Sequence, residues 1–158
     1  MKASPLVDIK KELKTLSSNE IQEICLKLIR FKKENKELLT YLLFYAHHED
    51  DYILSVKTYI DEAFETINTN SYFYIKKSVR KILKNIKKFA RYSQKKETEV
   101  ELLLYFCKKL KDFKPSIKNN TTLFILYSNQ LKLAKKTIAT FHEDLQYDYN
   151  LLIQELQF

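Results

Sequence analysis

The stretch that decides the fold is SYFYIKKSVRKILKNIKKFARYSQKK, residues 71–96. Apolar side chains recur in it at steps of four and three residues, the spacing that keeps side chains on one face of an α-helix. Cationic side chains recur at the same steps, offset by two residues and so roughly 200° around the helix axis. The apolar set is Ile75, Val79, Ile82, Ile86 and Phe89, and the cationic set is Lys77, Lys81, Lys84, Lys88 and Arg91. The stretch therefore predicts a helix with one buried face and an opposite basic face.

The same stretch carries the whole positive excess of the chain. The 158 residues include 28 Lys and Arg against 20 Asp and Glu, a formal net charge of +8. Ten of those cations lie between residues 76 and 96, and no acidic residue lies between Thr66 and Lys96. The remainder holds 18 cations against 20 acids and is nearly neutral.

The composition indicates an all-α protein. The chain has no glycine and two prolines, whereas a sheet-rich fold of this size needs glycine for its tight turns. The absence of glycine also excludes Gly-rich phosphate-binding loops. Amphipathic periodicity along the chain predicts seven to eight helices in a single domain, residues 1–158. We expect a HEAT-like α-solenoid stack of antiparallel helices, with a compact helical bundle as the alternative.

Local signals set some of the helix boundaries. Ser17 and Glu20 have the spacing of a capping box at the start of the second helix. Asp50 or Asp51 is expected to cap the fourth helix. In the first helix, spacing predicts an inward face made of Leu6, Ile9 and Leu13.

Several stretches resemble a family of small uncharacterised bacterial all-helical proteins. They are KKELKTLSSNEIQEICLKL (10–28), VRKILKNIKKF (79–89), EVELLLYFCKKLKDF (99–113) and HEDLQYDYNLLIQEL (142–156). The similarity follows helix-face patterns along most of the chain. It implies a cytoplasmic all-α protein and brings no activity or functional residue with it.

The N-terminal residues and the cysteines favour a cytoplasmic location. Residues 1–14 contain no apolar run of signal-peptide length, and no stretch is long and apolar enough to span a bilayer. Cys25 and Cys107 fall on apolar helix faces, where a free thiol behaves as a small hydrophobic side chain. We therefore expect reduced cysteines.

The basic face is the candidate binding site, with Lys77, Arg80, Lys81, Lys84, Lys87, Lys88 and Arg91 as its residues. Like charges three or four residues apart cost a helix a few tenths of a kcal/mol each. Either the acidic side of the fourth helix (Asp61, Glu62, Glu65) or an anionic partner is expected to offset that repulsion.

Two classes of partner fit such a face. The first is a protein with an acidic surface, bound by a helical scaffold or adaptor. The alternative is nucleic acid, bound non-specifically through its phosphates by the 76–96 basic stripe. Lysine dominates the stripe, so readout of bases by bidentate contacts is not expected. A membrane surface is less favoured, because the outward face lacks the large apolar residues that such helices insert.

Metal binding and catalysis are not predicted. The run His47-His48-Glu49-Asp50-Asp51 is the one metal-like stretch, with His142-Glu143-Asp144 as a second contributor. Acids at helix starts and histidines at helix ends also complement the helix dipole, which explains both runs without a metal. No serine or cysteine has the context of a nucleophile, so we expect a non-enzyme without cofactors.

Overall fold

The computed structural model describes residues 1–158, and all of its regular structure is helical. The eight α-helices are α1 (Leu6–Thr15), α2 (Ser18–Phe31), α3 (Lys33–Thr40), α4 (Glu49–Glu65), α5 (Tyr72–Ser93), α6 (Lys96–Asp112), α7 (Thr121–Ile138) and α8 (Glu143–Glu155). A π-helical turn (Tyr41–Tyr45) follows α3, and a 3-10 turn (Ile117–Asn119) precedes α7. The predicted all-α class is confirmed, and none of the helices has the length and hydropathy of a membrane span.

One predicted helix start is confirmed and another is wrong. The amide of Ser17 donates to Glu20 Oε2 at 2.8 Å while Ser17 Oγ accepts from the amide of Glu20 at 3.4 Å, which completes the capping box. The Ser17 hydroxyl also donates to Glu20 Oε2 at 2.7 Å, and the two bonds that the carboxylate accepts, from the amide and from the hydroxyl of Ser17, lower the pKa of Glu20. By contrast, α4 begins at Glu49 with His48 in the capping position, so Asp50 and Asp51 do not cap it. Both aspartates lie in its first turn, where carboxylates complement the helix dipole.

The basic helix α5 ends at Ser93, before the two last lysines of the 71–96 stretch. Gln94 follows it with a φ of 58°, in the left-handed region that usually holds glycine at a helix end. The chain contains no glycine, and a glutamine occupies this position. Lys95 and Lys96 therefore lie beyond the end of α5, and Lys96 is the first residue of α6.

Contacts between Cα atoms group the chain into two compact units, Met1–Phe44 and Tyr45–Phe158. The single-domain interpretation of residues 1–158, and the choice between a solenoid-like stack and a bundle, stay predictions.

The first unit has little core of its own. Helix α2 packs against α3, and Tyr41 is the one buried residue of the unit. The expected inward face of α1 is wrong, because Leu6, Ile9 and Leu13 are 79%, 45% and 39% exposed. Periodicity shows that a helix has an apolar face, but it does not show that another part of the chain covers that face.

The second unit is built around α6. This helix packs against α4, α5 and α7, and α7 packs in turn against α8. Buried side chains cover most of the circumference of α6, and one narrow side, with Glu97, Lys108 and Asp112, is exposed. The buried residues are Thr98, Val100, Leu102, Leu103, Leu104, Phe106, Cys107 and Leu110. Because α5 and α7 both rest on α6, α6 fixes how the exposed sides of those two helices meet.

A partly buried polar cluster connects the C-terminal end of α5 to α4 and α6. The carboxylate of Glu49 accepts hydrogen bonds from Ser93 Oγ and from Thr98 Oγ1, the latter at 2.6 Å. Lys95 Nζ lies 2.9 Å from the other carboxylate oxygen of Glu49. One residue of α4 thus holds the C-terminus of α5 and the N-terminus of α6 together.

Candidate anion-binding groove

Helix α5 presents the amphipathic faces that its sequence predicts. Its buried residues are Ile75, Val79, Ile82, Leu83, Ile86, Ala90 and Ser93. The apolar face is therefore slightly wider than the predicted stripe: Leu83 and Ala90 join it, while Phe89 is only half-buried. Among the cations of the opposite side, Lys77, Arg80, Lys81, Lys84 and Arg91 are exposed, and Lys87 and Lys88 are half-buried.

Four of the seven predicted site residues line one groove. Arg80, Lys84, Lys87 and Arg91 follow one another at steps of four, three and four residues along α5, a row about 16 Å long. The groove has a volume of about 540 Å³. Its other lining residues are Leu83 of α5, Glu99 of α6 and Leu133 of α7. We call this feature the cationic groove.

Packing on α6 explains why the cationic groove exists. Leu83 and Leu133 come from α5 and α7, the two helices that flank α6, and Glu99 lies in the first turn of α6 itself. Leu83 is 8% exposed and Leu133 is half-buried, so the two leucines form an apolar floor below the cations. The result is a shallow trough with a cationic side and a leucine base.

The four cations of the groove form no ion pair in the structure. The ion pairs of the second unit engage Lys57, Lys95, Lys109 and His142 instead. Glu99 is the one carboxylate among the groove's lining residues. The groove therefore keeps an excess of positive charge that no side chain of the chain neutralises.

The acidic side of α4 does not supply that neutralisation. Asp61 Oδ1 lies 2.9 Å from Lys109 Nζ, and both carboxylate oxygens accept from the hydroxyl of Tyr105 at 2.8 Å. Burial acts to raise the pKa of Asp61, but the hydrogen bonds from Lys109 and Tyr105 outweigh it and lower that pKa. Burial, and then the hydrogen bond to Asp61, raises the pKa of Tyr105.

A second ion pair joins α4 to α6. Lys57 Nζ of α4 lies 2.6 Å from Glu101 Oε1 of α6. Asp61 and Lys57 of α4 are thus paired with residues of α6 and not with the cations of α5. Of the three acids expected to neutralise the basic helix, Asp61 is engaged by Lys109, and Glu62 and Glu65 form no ion pair with that helix. An anionic partner remains a proposal.

The other three predicted cations lie elsewhere on α5. Helical spacing turns Lys77, Lys81 and Lys88 about 70° away from the mean direction of the groove cations. Lys81 shares a separate groove with Glu62 and Tyr59 of α4, without forming an ion pair. Lys88 Nζ lies 4.9 Å from the centre of the Phe89 ring. The structure does not bring these three side chains together with the cationic groove.

Aromatic side chains at the start of α5 divide into two kinds. The hydroxyl of Tyr72 donates to the carbonyl of Ser116 at 2.9 Å, which gives that residue a structural role. Phe73 is 67% exposed and Tyr74 is 47% exposed, and their rings contact each other edge-on. Phe73 lies seven residues before Arg80, so it falls on nearly the same side of α5 as the groove cations.

Sequence reasoning missed the residues that α6 and α7 add to the groove. Leu133 lies off the apolar stripe of α7, and Glu99 looks in the sequence like any acid in the first turn of a helix. The sequence contains one indication that α7 also carries positive charge. No acidic residue lies between Asp112 and Glu143, whereas Lys132, Lys135 and Lys136 do lie in this stretch. Lys136 is exposed and lies one helical turn from Leu133, which extends positive charge onto α7.

The histidine-rich stretch and the cysteines form no cluster. His47, Asp50 and Asp51 are exposed, and no group of three or more His, Cys, Asp or Glu side chains is placed to hold a metal ion. Cys25 and Cys107 are both free thiols. Burial raises the pKa of Cys107 to about 12, so this thiol stays protonated and unreactive at neutral pH.

Comparisons with known protein families, with curated proteins and with solved structures give no significant match. The resemblance to uncharacterised bacterial helical proteins stays a prediction. Function is therefore inferred from the charge and geometry of the cationic groove.

Proposed function

We propose that this chain is a non-enzymatic helical scaffold or adaptor that binds an acidic surface of a macromolecular partner through the cationic groove. The observation that supports it is the row formed by Arg80, Lys84, Lys87 and Arg91, four cations without an ion pair above a leucine floor. Charged rims with apolar centres are the usual anatomy of protein interfaces. Steering by such a field increases association rates with acidic partners.

The mixture of charge and apolar surface favours a protein partner. A phosphate backbone needs cations and makes no use of Leu83 and Leu133, whereas a protein segment can cover both leucines while its carboxylates meet the cations. Covering apolar area contributes about 25 cal/mol per Å². Glu99 also lies in the groove, where it repels phosphates but can accept a cation from a protein partner.

A nucleic-acid strand is the second candidate, and the exposure of Phe73 is the observation that favours it. Stacking of a base on an aromatic ring contributes about 1–3 kcal/mol. Phe73 lies at the head of the cation row, as a stacking residue beside a phosphate track would. Such binding would be non-specific in sequence.

Fluorescence anisotropy with two labelled ligands separates the candidates. One ligand is a polyglutamate peptide and the other is a single-stranded oligonucleotide of similar charge, each titrated with the full chain between about 50 and 200 mM salt. The proposal expects the peptide to bind more tightly than the oligonucleotide. Tighter oligonucleotide binding, weakened by Phe73→Ala and falling with a log–log salt slope of roughly −3 for four phosphate contacts, would assign the groove to nucleic acid.

A further inference from the structure

We propose that the occupant of the cationic groove is an acidic amphipathic α-helix of a partner protein, laid along α5 and α7 with its apolar face on Leu83 and Leu133. This inference rests on the proposed function and specifies the conformation and side-chain pattern of the partner segment. It follows from the spacing of the cations, from the hydrogen-bonding capacity of the groove walls and from the leucine floor.

The spacing of the groove cations matches that of carboxylates on another helix. Arg80, Lys84, Lys87 and Arg91 are separated axially by about 6, 4.5 and 6 Å. A helix beside α5 that carries acids at steps of four, three and four residues repeats those separations. Same-face residues of an extended strand recur every ~6.7 Å, so a strand drifts out of step by roughly 3.5 Å along the row.

The walls of the groove favour a segment that satisfies its own backbone. Both walls are α-helices, whose interior amides and carbonyls bond within the helix, so they offer no free edge to an extended peptide. An extended segment pressed onto Leu83 and Leu133 would bury amides and carbonyls without partners. A helix pairs these groups internally and presents only side chains to the floor.

The dimensions of the groove suit one face of such a helix. A row about 16 Å long corresponds to about three helical turns, or 12 residues. A volume of about 540 Å³ is too small for a helix about 10 Å across, but it holds a row of apolar side chains. The partner helix would therefore lie over the groove, with apolar residues at i, i+3 or i+4 and i+7 inserted between α5 and α7.

Three peptides of about 16 residues test the proposal on the full chain. The first places Glu and Leu at helical spacing, so that the carboxylates flank one leucine stripe. The second has the same composition in an order that breaks the stripe. The third is the first peptide with one central proline. Anisotropy gives the affinities, and circular dichroism of each mixture shows whether the peptide becomes helical when bound.

We expect the striped peptide to bind at least tenfold more tightly than the scrambled one and to gain helicity on binding. Proline at its centre should weaken its binding by up to about a hundredfold, since proline interrupts a helix interior. Leu133→Ser should weaken binding of the striped peptide at least fivefold and leave that of the scrambled peptide unchanged. Ile125→Ser is the matched control, because Ile125 is an exposed apolar residue of α7 outside the groove.

The outcomes distinguish this inference from the function on which it rests. Equal affinity for the striped and scrambled peptides would overturn the helical occupant and leave an acidic partner in place. Failure of all three peptides to bind would overturn both. Displacement of the striped peptide by a much lower concentration of single-stranded oligonucleotide would assign the groove to nucleic acid and overturn both proposals. The comparison between the striped and the scrambled peptide uses the unmodified chain, so it does not depend on whether any variant folds.

Discussion

At the scale of single residues, Asp61 decides how the charge of α5 is understood. Its carboxylate is held by Lys109 and Tyr105 of α6, so it is not free to neutralise the basic helix. Burial acts to raise the pKa of Asp61, but the hydrogen bonds from Lys109 and Tyr105 outweigh it and lower that pKa. A carboxyl with a lowered folded-state pKa stabilises the fold above its ordinary pKa, and that stabilisation is lost as the pH falls through the folded-state value.

Asp61→Asn should therefore reduce stability in a pH-dependent way. At neutral pH we expect the free energy of unfolding to fall by about 1 kcal/mol, because the site is partly exposed and its ion pair is screened. The gap between variant and original chain should close as the pH drops below the ordinary Asp value of 3.8. Urea unfolding at neutral pH and at about pH 2 measures both gaps.

Glu62→Gln provides the control, since Glu62 is the exposed neighbour of Asp61 and forms no ion pair. That variant should show no pH-dependent gap. If Asp61→Asn lowers the free energy of unfolding equally at both pH values, the charge of Asp61 does not contribute to its bond with Lys109. That outcome would contradict the pairing of Asp61 with α6 and return Asp61 to the acids that could neutralise α5.

The two cysteines allow a second residue-scale prediction. Cys107 is fully buried and burial raises the pKa of its thiol to about 12, whereas Cys25 is half-buried in the first unit. A thiol-reactive dye should label Cys25 in the native chain and should label Cys107 only when the second unit unfolds. Counting labelled thiols over time, with Cys25→Ser as the control, checks this; prompt labelling of Cys107 in native conditions would contradict the packing of α6.

At the scale of elements, α6 organises the second unit. It packs against α4, α5 and α7, and residues of α5, α6 and α7 together line the cationic groove. The amphipathic character of α5 follows from its sequence alone, because apolar and charged stripes of one helix are local patterns. The central place of α6 does not, since periodicity cannot say which of several apolar helices is surrounded by the others.

The groove shows the same division between local and non-local information. The cation row on α5 could be predicted from spacing, and so could the capping box at Ser17. Leu133 and Glu99 could not, because they join the row only through the packing of α5 and α7 on α6. The prediction that α1 buries Leu6, Ile9 and Leu13 is wrong for a related reason. The spacing of these residues defines an apolar face, but it does not identify any part of the chain that covers this face.

Truncation of a central α6 residue tests this account of the second unit. Leu103→Ala should lower the free energy of unfolding by about 2–5 kcal/mol, because Leu103 is 1% exposed and its loss leaves a cavity. Leu54→Ala removes the same atoms from an exposed position on α4 and should cost less than about 0.5 kcal/mol. Chemical denaturation of both variants gives the comparison; equal losses would mean that α6 is not the centre of this unit.

At the scale of the whole molecule, the main feature is the uneven distribution of charge. A chain that is nearly neutral outside residues 76–96 carries a formal charge of +8. Asp61 of α4 and Glu101 of α6 are paired with lysines of those two helices and not with the groove cations. Four cations that form no ion pair face one groove, while Lys77 and Lys81 lie on another side of the same helix. If net charge alone attracted an acidic partner, all of these cations would be equivalent.

The most direct test compares two double variants of α5 in the same binding assay. Arg80→Glu with Lys84→Glu changes the groove, and Lys77→Glu with Lys81→Glu changes the other side; each pair lowers the net charge by four. With a polyglutamate ligand, we predict at least a tenfold loss of affinity for the groove pair and less than about a threefold loss for the control pair. Equal losses in the two variants would contradict the groove as the binding site.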